Sequence, residues 1–518
     1  MNSLRTNAAL SAAILIALAV PLAHAGGTLP ANPYSPARNH PYRHGVIPTL
    51  DVHAAMMRWQ KAHPLATNSA MLSYGGGTGG VGVTSGPNKV YLVFYGSQWG
   101  TATTDANNNL KFSNDPYGGA GAAQQMFKGI GTNGETWQAE LTQWCDGKGV
   151  ATGAFSCPST ASFFPYQQNV LAGVWYDNTQ LSPPSATPVQ LANEAIAAAA
   201  HFGNTTAASN RYAYYVILSP TGTNPDLYLG QYCAWHDYTA DAGVVSPYGE
   251  IAFSNQPYNM DQNLNCGVDF VNTGSAGLLD GYTMTLGHEW HETMSDQFPI
   301  GGWSNHDTGT YAGQENSDEC AWIAPGSPGG AANVTFATGT FAEQSSWSND
   351  TNECSMTHAI LHWTPVQVVK NPWFETKAAW KASPGVLCNA GCPGQVALGG
   401  HGFAWLGGQA VAHTALLSQV VRIPAGRNKV TLRYALHVDT NEPTTDFRDT
   451  LAVELYDGTT PLQALQVYSN ADHATGYKVH THDLSAYAGR TITLRFTGTE
   501  DGQNQTSFVL DNVTLVAQ

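Results

Sequence analysis

RYAYYVILSP, residues Arg211–Pro220, is a β-branched and aromatic run that ends on proline, and KVYLVFYG, Lys89–Gly96, is a similar run that ends on glycine. Short apolar runs bounded by such breakers read as buried strands. Between them PVQLANEAIAAAAHF, Pro188–Phe202, reads as a helix. Strands alternating with helices put an α/β or α+β domain with a buried sheet over residues 87–370.

Beyond that region the pattern changes. NKVTLRYALHV places Val430, Leu432 and Tyr434 on one face, TLAVELYDG does the same with Leu451, Val453 and Leu455, and RTITLRF with Ile492, Leu494 and Phe496. Period-two strands separated by turns such as Pro424-Ala425-Gly426 and Asp457-Gly458 predict an all-β sandwich over 371–518. The opening NPWFET and the tail SFVLDNVTLV resemble the jelly-roll modules appended to secreted bacterial hydrolases. That resemblance implies glycan binding, calcium binding or protection of the enzyme. Asp439, Asp446, Asp449 and Asp511 offer oxygen ligands to a calcium ion, with solvated turn positions as the alternative.

Upstream, residues 26–86 are rich in Pro, His and Gly. One short helix, TLDVHAAMMRWQKAH, precedes the run YGGGTGGVGVTSG, which reads as a glycine linker. The segment is expected to be an N-terminal extension or prosegment, or else a leader with no role. Residues 1–25 have the layout of a secretory signal peptide, with one Arg before an apolar run and Ala23-His24-Ala25 as the cleavage site. Secretion to the extracellular space follows, and eight cysteines then read as disulfides, most simply Cys145 with Cys157, Cys233 with Cys266, Cys320 with Cys354 and Cys388 with Cys392. A formal net charge of -16 argues against nucleic acid and anionic lipid as partners, and no later run is apolar enough to enter a membrane.

Chemistry concentrates in GHEWHETMSD, Gly287–Asp296. On a helix starting near Asp280, with that residue as its N-cap, each step turns about 100°. Glu292 then stands about 40° from His288 and one turn along, Asp296 about 80° and Glu289 about 100°, while His291 lies about 60° to the other side. Leu286, Trp290 and Met294 back this arc with an apolar face. Ligands at i and i+4 can share one ion, and the residue beside the first can serve as base toward water, which makes His288 and Glu292 the paired ligands and Glu289 the general base. His291 is the alternative partner, at i+3.

The layout resembles the thermolysin-like gluzincins, in which a downstream Glu completes the metal site. By that resemblance Glu315 of GQENSDECAW is the third ligand and Asp318 orients His288. Glu292 replaces the second histidine of those enzymes. The resulting set is harder and more anionic, so Ca²⁺ and Mn²⁺ join Zn²⁺, the ion the resemblance implies. YLVFYG, VILSP, YCAWH (Tyr232–His236), GHEWHETMSD and ENSDEC also follow the order seen in the phosphate-induced, EXORDIUM-like family of extracellular proteins. Its motifs match Cys233, His236, His288, Glu289, Glu292, Glu315, Asp318 and Cys320, and the resemblance implies a shared site without a shared reaction. His236 is either a structural histidine beside a disulfide or a donor to an oxyanion.

No G-x-S-x-G elbow and no phosphate-binding loop occur in the sequence. A carboxylate-pair glycosidase stays open, because acidic pairs carry no sequence signature. Two expectations emerge. One is a secreted metal-dependent hydrolase, a peptidase acting on extracellular protein or peptide; the other is a non-catalytic wall- or glycan-binding protein with a structural cation.

Overall fold

A computed structural model describes residues 32–64, 69–307, 309–389, 392–443, 445 and 447–518. The signal peptide expected at 1–25, and Asp446, lie outside them. Among the described residues no helix is long and apolar enough to cross a membrane.

Six strands build the central sheet: β1 (His44–Pro48), β2 (Lys89–Tyr95), β3 (Leu171–Asp177), β4 (Ala213–Leu218), β5 (Tyr232–Tyr238) and β6 (Ala252–Gln256), in the order β1-β5-β6-β4-β2-β3. β6, β4, β2 and β3 run parallel to one another, whereas β5 and β1 add an antiparallel edge. Continuous apolar runs suit such a sheet, because both of its faces are covered. Val90, Leu92 and Phe94 of β2 share one core with helices α2 (Gly119–Gly129) and α4 (Asp280–Ser295). Tyr91, Val93 and Tyr95 share another with α3 (Pro188–His201). The domain is therefore three layers, helix–sheet–helix. Thr187 starts α3 through a reciprocal cap with Gln190, and Pro188 fits its first turn, where no amide hydrogen is needed.

α4 is buried at every residue, charged ones included. Trp290 anchors it, with its ring 5.8 Å from that of Trp137 and 6.2 Å from that of Phe164. Its start differs from expectation. Asp280 is the first helical residue and not the cap, since its carboxylate accepts instead from the amides of Val271 and Asn272 in the preceding loop.

The amino-terminal segment is part of this domain. β1 pairs with β5, Ile47 is buried, and Arg43 makes a buried 2.7 Å ion pair with Asp226. The expected helix is present as α1 (Leu50–Ala62), capped by Thr49. The expected glycine linker, in contrast, is a fixed strap. The amides of Gly82 and Val83 donate to Asp146, and that of Thr84 donates to the Met294 carbonyl. Backbone groups so satisfied are not those of a flexible tether.

The C-terminal part is a two-sheet β-sandwich. One sheet contains β7 (Phe403–Gly407), β9 (Val430–Thr440), β12 (Lys478–Asp483) and β14 (Thr506–Ala517). The other contains β8 (His413–Arg422), β10 (Thr450–Asp457), β11 (Thr460–Ser469) and β13 (Thr491–Glu500). The alternating residues named above meet in one core. Val366–Gln367 pair with β14, so the sandwich begins a few residues before 371. The four disulfides join sequence neighbours as expected, which suits an oxidising compartment.

Trp290→Ala should destabilise the central domain by about 3–5 kcal/mol, the usual cost of emptying a large buried aromatic site. Denaturant unfolding followed by tryptophan fluorescence measures it.

Candidate metal centre

The carboxyl-terminal half of α4 lies against β5, with β1 and the loop before the short helical turn Asp318–Cys320 beside it. These elements bring together side chains distant in sequence. His288 Nε2 stands 3.0 Å from Glu292 Oε2 and 3.6 Å from Asp318 Oδ1. His236, on β5, points Nδ1 at Glu289 Oε2 (3.2 Å) and Glu292 Oε2 (3.6 Å), and Nε2 at Glu315 Oε1 (3.5 Å). Asp296 follows the helix, accepting from the Gly302 amide through Oδ1. Five carboxylates and two imidazoles thus share one site, buried except for the part-exposed Asp318, and among the described residues no Lys or Arg pairs with any of them.

Two trios have ligand atoms mutually within 4.8 Å: His288, Glu292 and Asp318, and His236, Glu289 and Glu292. Glu292 belongs to both. Its contact with His288 has hydrogen-bond length but not hydrogen-bond geometry, and both of those atoms lack any hydrogen-bond partner. Glu289 Oε1, Asp296 Oδ2 and Glu315 Oε2 are orphaned in the same way. Buried polar atoms without partners are costly. Ligand atoms of a tetrahedral ion with bonds near 2.1 Å are about 3.4 Å apart, so separations of 3.0 and 3.6 Å fit two groups aimed at one cation. The donor set fits a divalent ion.

Several expected roles change. Asp318, not Glu315, is the third partner of His288 and Glu292. The amide of Asp318 donates to Glu292 Oε1 at 2.9 Å, and this turn geometry swings Glu315 round to His236. His236 has carboxylates near both nitrogens, hydrogen-bonded to Glu289 through Nδ1 while Nε2 stands 3.5 Å from Glu315 without a hydrogen bond. His291 faces away from the cluster: its ring lies 4.1 Å from that of Trp137, and Nδ1 is 2.8 Å from Ser346 Oγ. Burial holds His291 down at about 3. Of the calcium ligands expected in the sandwich, the three that are described each have other partners. Asp439 accepts from Gln395, Asp449 from the Asp501 amide and Asp511 from the amides of Leu398 and Gly399. None of the three joins a group of three ligands among the described residues.

β1 closes the site. A Cβ on Gly45, at φ +51°, would lie 1.9 Å from Glu292 Oε2 and 2.7 Å from the His236 ring, so only glycine lets the strand come this close.

Charge and burial oppose each other at the two imidazoles. Burial alone would lower both imidazoles, but the carboxylates prevail: Glu292 and Asp318 hold His288 well above its ordinary value, and Glu289 holds His236 up. Burial drives Glu289 up to about 8, against the pull of His236. Burial and then Asp318 raise Glu292, while Glu315 and Asp296 are pushed well above the carboxylate range by burial and by neighbouring acids. A cation would relieve all of them at once.

No known protein family and no curated relative matches the chain, so the likeness to EXORDIUM-like proteins and gluzincins has no family match behind it. Local likenesses to solved structures do exist. A carbohydrate-binding module solved with β-1,4-galactotriose is 18% identical, with 30% of this chain and 99% of that chain covered and a TM-score of 0.22. The CBM22-1 xylan-binding domain of Paenibacillus barcinonensis Xyn10C is 16% identical over 29% of this chain and 94% of its own, with a TM-score of 0.21. An adhesin domain of Lys-gingipain from Porphyromonas gingivalis is 13% identical over 29% and 97%, with a TM-score of 0.21. Scores this low say nothing about ligands.

In cation-free protein the folded state keeps protons on Glu289, His236 and His288 that the unfolded chain releases. Stability should therefore fall as pH rises from about 6.5 through about 8. His291 contributes in the opposite direction, but this levels off soon above its ordinary value of 6.5, because its folded value lies far below its unfolded one. Calorimetry in chelator should show the melting temperature dropping across this window, and a shallower drop with saturating Zn²⁺. A flat profile in chelator would contradict the electrostatic account.

Proposed function

We propose that this is an exported two-domain protein in which a buried divalent cation fixes the central domain and the C-terminal sandwich engages glycans at an extracellular surface. One observation carries the first half. His288 and Glu292 are fully buried, Asp318 keeps only 12% of its side chain exposed, and β1 lies directly on the site through Gly45. Structural ions sit in closed shells, whereas catalytic ions keep an open position. An imidazole beside carboxylates favours Zn²⁺ or Mn²⁺ over Ca²⁺, which takes oxygen alone.

The outer face of the sandwich supports the second half. Trp405 and His437, both part-exposed, pair with the buried Val509, which puts the three in one row across β7, β14 and β9. Tyr477 extends the row, with its ring 5.6 Å from that of His437. Ring faces of this kind suit the apolar face of a sugar, and the part-exposed His437 imidazole suits its hydroxylated rim.

A second reading, a metal-dependent peptidase acting on extracellular protein, has one observation in its favour. Glu289 stands beside the shell with Oε1 unpartnered, where a general base toward water belongs. That reading requires β1 to be lifted, which makes the amino-terminal segment a prosegment.

Glu292→Gln should remove one divalent ion per chain by elemental analysis and lower the melting temperature, whereas Glu289→Gln should keep the ion. Equal metal content in wild type and Glu292→Gln would rule out the centre. Full-length protein should co-sediment with an insoluble polysaccharide such as xylan or cellulose even in chelator, and Trp405→Ala should weaken this about fivefold. Casein hydrolysis appearing after removal of residues 32–64, and lost in Glu289→Gln, would favour the peptidase instead.

A further inference from the structure

A second group of ligands lies at the sheet edge, outside the buried centre. His44 opens β1, Asp237 is on β5, and Asp241 is in the turn that follows. His44 Nε2 and Asp241 Oδ2 are 2.9 Å apart, and one ligand atom from each of His44, Asp237 and Asp241 lies within 4.8 Å of the others. Asp237 is fully buried. Its Oδ1 accepts from the Tyr238 amide at 2.7 Å, but Oδ2 has no partner. A carboxylate oxygen buried without a donor needs one, or needs a cation. The other two residues reach solvent, with side-chain exposures of 18% for His44 and 36% for Asp241, so the group lies at the edge of the protein and not in its interior.

The group is separate from the centre on α4. Successive residues of a strand point to opposite faces, so Asp237 turns away from the side on which His236 meets Glu289. It is also chemically similar, with one imidazole and two carboxylates. We infer that His44, Asp237 and Asp241 form a second divalent-cation site, selective for Zn²⁺ or Mn²⁺, which clips β1 to the body of the domain. The ligands come from both sides of the β1–β5 junction, so the ion holds the strand that covers the buried centre. Gly45, the residue in contact with Glu292, directly follows the ligand His44. The site holds whether the buried centre is structural or catalytic, since it depends on neither reading.

Full-length protein stripped with chelator and titrated with Zn²⁺ by calorimetry tests this. His44→Gln and Asp241→Asn should each bind one Zn²⁺ fewer than wild type. Glu292→Gln should lose a different one, and Asp241→Asn combined with Glu292→Gln should lose two. Limited proteolysis should release residues 32–64 about tenfold more slowly when free Zn²⁺ is ten times its dissociation constant for the clip, and Asp241→Asn should abolish that protection. Asp241 is exposed, so its variant should keep the wild-type melting temperature in chelator; His44→Gln gives the same reading independently. Wild-type stoichiometry in both clip variants would overturn the proposal, as would Zn²⁺-independent release of the segment in wild type.

Discussion

Negative charge without a basic partner, enclosed in the apolar middle of the protein, is the constraint to which the rest of the central domain answers. Glu289, Glu292, Glu315 and Asp318 surround two imidazoles, with Asp296 close behind, and the imidazoles together cannot neutralise them. Isolated buried carboxylates either take up protons or bind a cation. Trp290 and its aromatic neighbours hold α4 rigidly enough to keep these groups together, and the disulfide Cys320–Cys354 anchors the turn that carries Asp318. The apolar core thus supplies the energy that the polar site costs.

Closure of the site links the amino-terminal segment to the same constraint. β1 contributes a backbone ladder to β5, a glycine set against Glu292 and His236, and a histidine that faces a second acidic pair. Cations at the two positions would act in series, one ordering the interior and one fastening its cover. Metal supply would then govern both stability and access.

Much of this was legible in the chain. The runs at 89–95 and 213–218 are strands of the buried sheet, the alternation of Val430, Leu432 and Tyr434 marks the sandwich core, and the cysteines pair with their neighbours. The helical spacing of His288 and Glu292 correctly placed them side by side. What the sequence hid has physical reasons. An arc of charged residues normally marks a solvated helix face, so nothing signalled that α4 is enclosed on all sides. His44–Pro48 is too short and too rich in Gly and Pro to look like a strand, and its order comes from the partner strand. The exchange of roles between Glu315 and Asp318 depends on one helical turn. The group His44, Asp237 and Asp241 joins segments nearly 200 residues apart and has no local motif at all.

The most direct measurement is an anomalous-scattering map from crystals grown with Zn²⁺, collected above and below the metal edge. The account predicts a peak about 2.0–2.2 Å from both His288 Nε2 and Glu292 Oε2, with Asp318 completing the set. Ordered water bridging these three side chains, with no anomalous signal, would contradict it.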